Sequence, residues 1–187
     1  MNDIFKLENA QLHVFDNGGT LAIIDTDNRL VFFDPTQLPR ATNYSFNYEL
    51  AKNMEFLKDS FTSESNLEDW LWNLFWRSSD FKILTLVENT YYKIDYWPQP
   101  SQKKDQKVIL QLSACFIQGA QLSEVAKELN LPIEIIQQFI TACLISRNGK
   151  IILEKESHYK TNESIQTNKH NSFLNNLFSR IRNKFKL

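Results

Sequence analysis

Apolar positions along the chain follow period-two spacing first and helical spacing later. Residues 11–15, 20–25 and 29–33 read as strands, separated by the turn signal Asp16-Asn17-Gly18-Gly19 and the tight turn Asp25-Thr26-Asp27-Asn28. Asp34-Pro35 and Leu38-Pro39 end this sheet edge and begin a loop. Phe46, Leu50, Met54, Leu57 and Phe61 then fall on one helical face, and a second helix is expected over residues 67–76. Residues 81–87 and 91–96 read as a hairpin across Glu88-Asn89-Thr90. Two strand groups flanking two helices predict an α+β domain over residues 1–97, a small antiparallel sheet packed with helices on one face.

The polar segment 98–106 reads as a linker. A helix is expected over residues 107–119, with Val108, Leu112, Cys115 and Phe116 inward. Leu122, Val125, Ala126 and Leu129 then recur at i, i+3, i+4 and i+7. Ser123 is placed to cap that helix, and Glu124 sits in its first turn, where the helix dipole favours an anion. Asn130 tolerates the left-handed conformation of a sharp turn, Leu131 can plug the corner, and Pro132 begins the next helix at no hydrogen-bond cost. Ile133, Ile136, Phe139 and Ile140 form the inward stripe of this second helix, and Asn148-Gly149 opens a wing strand.

With the small Ala126, Asn130 at the turn, and Ile136 and Phe139 following, residues 107–155 resemble the bacterial helix-turn-helix family in its winged-helix variety. The resemblance implies a winged-helix-like helical domain and DNA recognition by its second helix. The outward side chains there are Glu134, Gln137, Gln138 and Thr141, with no Lys or Arg before Arg147. DNA binding leans on cationic phosphate contacts, whereas residues 107–155 hold five basic and four acidic residues. The same four side chains are therefore read as a protein-binding surface, with transcriptional DNA binding as the alternative.

Charge sharpens the picture. The overall net charge of −1 conceals residues 1–100 with fifteen acidic and eight basic residues, and residues 169–187 with five basic and no acidic ones. After a polar tether over residues 156–171, Phe173, Leu174, Leu177, Phe178, Ile181 and Phe185 share one helical face. Arg180 and Arg182 lie off it. A basic amphipathic helix over residues 172–187 can fold back on the body, dock in a partner's groove, or lie on an anionic membrane surface. In the helix over residues 67–76, Leu67, Trp70, Leu71 and Leu74 share one face while Trp72 and Trp76 point nearly the opposite way. The two tryptophans are either buried between layers or an exposed anchor for a protein partner.

Chemistry is sparse. His13, His158 and His170 are far apart, and the four glycines include no phosphate-binding loop. Asp25-Thr26-Asp27-Asn28 is followed by Arg29 and Leu30 where a calcium loop needs a further ligand and a glycine, so it reads as a hairpin turn. The two cysteines, Cys115 and Cys143, fall on apolar helix faces and read as buried reduced thiols. No catalytic residue, metal site or cofactor is expected. With no apolar run long enough for a membrane span or signal peptide, the expectation is a cytoplasmic, non-enzymatic adaptor or regulatory protein, in one variant held at the inner membrane face by its C-terminal helix.

Overall fold

The computed structural model describes residues 10–37, 47–51, 60–77, 86–87, 89–99 and 105–160. The fold is α+β. Its first sheet runs in the order β4-β1-β2-β3-β5, every pair antiparallel. Strands β1 (Gln11–Asp16), β2 (Gly19–Asp25) and β3 (Leu30–Phe33) match the expected meander. The first turn closes where Asp16 Oδ1 accepts the Gly18 N–H at 2.7 Å and Gly19 adopts φ +117°, a conformation glycine tolerates. In the second turn Asp25 accepts both the backbone and the side-chain N–H of Asn28, at 3.1 and 3.2 Å, while Arg29 is left-handed at φ 53°. Asp25 thus works as a turn residue. β2, the middle strand, is buried from Leu21 to Asp25, as expected of a strand covered on both faces.

The two edge strands depart from the expectation. Asn47–Leu50 is strand β4, paired with β1, and not the start of a helix. The helical spacing there coincides with a chain that satisfies β1's outer edge, and the remainder of that expected helix, residues 52–59, lies outside the described residues. β5 (Ser63–Asn66) is wholly polar and so carries no apolar signature; its backbone pairing with β3 makes it a strand.

β5 leads directly into α1 (Leu67–Arg77). Asn66 Oδ1 accepts the Asp69 N–H at 2.7 Å while its amide donates to Asp69 Oδ2 at 2.9 Å, a reciprocal cap at the helix start. Leu67 N–H donates to Arg29 O at 2.8 Å, and Arg29 pairs with Glu68, so the cap is tied to the β2–β3 turn.

The second half holds α2 (Gln106–Phe116), α3 (Leu122–Leu129) and α4 (Ile133–Ile145), with a sheet ordered β7-β6-β8. β7 is Ala120–Gln121, β6 is Tyr91–Ile94 and β8 is Gly149–Ile152. A strand does follow Asn148, but its partner is β6, which precedes all three helices in the chain. Tyr91 and Tyr92 pair with β7 on one side and β8 on the other, so neither is left an edge for the hairpin with residues 81–87. Residues 78–85 lie outside the described residues.

One continuous core joins both halves: Leu12, Ile24 and Val31 of the first sheet, Leu71 and Leu74 of α1, Ile94 of β6, and Leu112, Phe116 and Phe139 beyond. Packing therefore does not divide the chain at residue 97. The start of the expected tether is docked as well. His158 N–H donates to Gln118 O at 2.8 Å, Ser157 Oγ donates to Gly119 O at 2.6 Å, and Tyr159 is buried. Gly119, at φ +78°, holds a left-handed conformation that glycine tolerates, and a Cβ there would push the end of the Ile152 side chain aside.

Candidate interaction surface

The geometry of α3, its turn and α4 follows from residues that were legible in the sequence. Leu122 and Val125 of α3 are buried. Asn130 takes the left-handed conformation at φ 51°, ψ 47°, and the Leu131 N–H returns to Ala126 O at 3.2 Å, closing the α3 C-terminus. The N-cap is Gln121 and not Ser123, which lies inside the helix: the extended β7 backbone runs straight into Leu122 and no side chain caps it.

α4 buries the expected Ile136, Phe139 and Ile140, and also Thr141, Ala142 and Cys143. The additional cover includes α1. The Trp72 and Trp76 rings stack with centroids 5.7 Å apart, and both meet Phe139 edge-on, at 6.2 and 6.1 Å. Phe139 stacks in turn on Phe116 of α2 at 6.0 Å. The Trp72 Nε1–H donates to Cys143 Sγ at 3.4 Å, and the Gln138 amide donates to Trp76 O at 2.8 Å, satisfying a carbonyl at the end of α1.

This contact reassigns the partner-binding candidates. Trp72 is 2% exposed and forms an internal contact, not an anchor for another protein; Trp76 is half-buried against Phe139. Gln138 is engaged by α1, and Thr141 is 4% exposed with no hydrogen-bond partner for its hydroxyl. Of the four outward candidates on α4, Glu134 is exposed, Gln137 and Gln138 are half-buried and Thr141 is buried. Phe173, Leu174, Leu177, Phe178, Arg180, Ile181, Arg182 and Phe185 lie outside the described residues.

The α1–α4 contact also fixes the thiols. Burial pushes Cys143 up to about 12 and Cys115 up to about 11; the Trp72 hydrogen bond only partly offsets the shift at Cys143. Both are free and protonated near neutrality, the opposite of an activated nucleophile. His13 holds β1 to its neighbours, with Nδ1 3.1 Å from Glu49 Oε1 and Nε2 2.9 Å from Thr20 Oγ1. Among the described residues no cluster of His, Cys, Asp or Glu is placed to hold a metal ion, and no helix is long and apolar enough to cross a membrane.

Among the described residues large apolar side chains stay exposed at Val87, at Tyr96 and on two edge strands. Tyr48 and Leu50 of β4 are 45% and 62% exposed. Ile151 of β8 and Leu153 just beyond it are 65% and 61% exposed. The signal was present in the run Ile151-Ile152-Leu153, where period two places the first and third residues together on one side. Searched against protein-family models, curated proteins and solved structures, the chain finds no match.

Proposed function

We propose that this chain is a non-enzymatic adaptor or regulatory protein whose helix-turn-helix serves as architecture. The observation that carries this reading is the packing of α1 along α4. A DNA-reading helix must enter a major groove about 12 Å wide, and a helix with side chains is itself about 10–12 Å across. A second helix lying alongside α4 therefore obstructs that approach. Of the polar candidates on α4, Thr141 is buried, Gln138 is held by the α1 carboxyl end, and the exposed Glu134 repels phosphate.

The surfaces left for partners are the apolar edges at β4 and β8. The basic amphipathic segment 172–187 supplies a latch to a partner or an anionic membrane surface. The test is affinity purification of the tagged full-length chain from its host, with nuclease treatment and a bait lacking residues 171–187 in parallel. A stoichiometric protein recovered despite nuclease is the expected result, with reduced recovery or membrane association for the shortened bait. Recovery of DNA-dependent material alone, with affinity falling steeply as salt rises, would instead establish a DNA-binding regulator.

A further inference from the structure

Among the described residues β8 forms one edge of its sheet, with β6 as its neighbour. The Asp95 N–H donates to Asn148 O at 3.1 Å, which sets the phase of the antiparallel ladder. From there Lys150 and Ile152 turn their backbone groups toward β6, while Gly149, Ile151 and Leu153 turn theirs outward. The Leu153 N–H is taken by Glu156 Oε2 at 2.8 Å. Among the described residues nothing pairs with the outward groups of Gly149 and Ile151. Ile151 stands opposite Tyr92, on the side of the sheet where Tyr92 and Ile94 are buried, yet it is 65% exposed. This edge is an unfinished sheet: an added strand would continue both the ladder and its apolar side.

We propose that the added strand is β8 of a second copy of this chain, antiparallel across a two-fold axis at Ile151. The first reason is charge polarity along the strand. Arg147 and Lys150, the latter paired with Asp95, lie at its start, and the net-acidic run Glu154-Lys155-Glu156 follows its end. Antiparallel self-pairing sets each basic start against the other copy's acidic end, whereas parallel pairing sets like against like.

The second reason is register. With the axis at Ile151, the central pair exchanges two hydrogen bonds made from unengaged backbone groups, and the two Ile151 side chains meet. Leu153 then faces Gly149 of the second copy, and Lys150 faces Ile152. An axis at Lys150 would oppose two ammonium groups directly. An axis at Ile152 would need the Leu153 N–H that Glu156 already holds in its central outward pairs, whereas the axis at Ile151 needs it only in the flanking pairs with Gly149. This dimer stands independently of the adaptor reading, since it rests on β8 alone.

Sedimentation velocity of the full chain over a concentration series tests it. The expected result is a monomer–dimer equilibrium that Ile151→Lys weakens at least about tenfold with an unchanged melting temperature. Independently, Ile151→Cys places two thiols on a hydrogen-bonded pair whose Cα atoms lie about 5.5 Å apart, within disulfide reach. Mild oxidation should give an interchain disulfide at that position and not for Lys155→Cys. A chain that stays monomeric throughout the series overturns the proposal and leaves the edge to a strand of another protein. Equal dissociation constants for the wild type and Ile151→Lys, or no disulfide at position 151, also overturn it.

Discussion

α4 and β8 are consecutive in the chain, joined through the short turn at Ser146–Asn148, and their fates are opposite. α4, the helix read in the sequence as a possible DNA reader, packs against α1, α2 and α3. β8, a strand expected only as an accessory wing, ends with its outer edge bare and two large aliphatic side chains in solvent. The apolar pattern of each was visible in the sequence. The difference is which neighbour arrives to cover it. Trp72 and Trp76 find Phe139, whereas Ile151 and Leu153 find nothing on their own chain among the described residues. Apolar spacing reports a demand for burial; topology decides whether the same molecule meets it.

The largest effect should come from removing the cover on α4. Trp72→Ala deletes a fully buried ring that bridges α1 to Phe139 and Cys143, and should destabilise the protein by about 3–5 kcal/mol in chemical denaturation. A loss below about 1 kcal/mol would mean that α4 is not held by α1 in solution. Asn148→Ala acts at the hinge between the two elements. The Asn148 side chain is 1% exposed and forms two 2.9 Å hydrogen bonds to the backbone of Tyr96, accepting from its N–H and donating to its carbonyl. Leaving those groups unsatisfied should cost about 1–3 kcal/mol, and an unchanged midpoint would show that β8 does not depend on this clamp.

The effect confined to alkaline pH, and absent near neutrality, is the loss of the buried thiol. Cys143 ionises near its ordinary 9 in the unfolded chain and near 12 when folded, so the unfolded state binds fewer protons between those values. The contribution of the buried thiol is therefore complete below pH 9 and is lost as pH rises toward 12, by at most about 1.4 kcal/mol per pH unit. Thermal melts from pH 8 to 11 should show the decline in the wild type, with a shallower slope in Cys143→Ala. Equal slopes would indicate that water reaches the α1–α4 contact.

How much was legible follows the same divide. The meander β1–β3 announced itself because Leu12 and Val14 alternate and β2 is apolar throughout, as a middle strand must be. The turn at Asn130 was legible for a local reason, since few side chains accept φ 51°. β5 was not, because Ser63, Glu64, Ser65 and Asn66 carry no apolar pattern and the strand owes its existence to β3's unpaired edge. The two apolar faces of α1 could be read, but the choice between internal packing and a partner anchor could not. It depends on α4 lying beside α1, and no residue in either helix encodes that separately. β6 was visible as a strand and assigned the wrong companions, since hairpin logic favours the nearest segment and the fold uses β7 and β8.

The place of β6 has a consequence for biosynthesis. A ribosome delivers Tyr91–Ile94 first, then three helices, and only then Gly149–Ile152. Until that last strand emerges, β6 has at most the two residues of β7 beside it, and its apolar Tyr92 and Ile94 wait without their sheet. A nascent chain halted between α2 and β8 therefore displays a sticky, half-paired strand through much of its translation, which makes it a natural client for a holding chaperone.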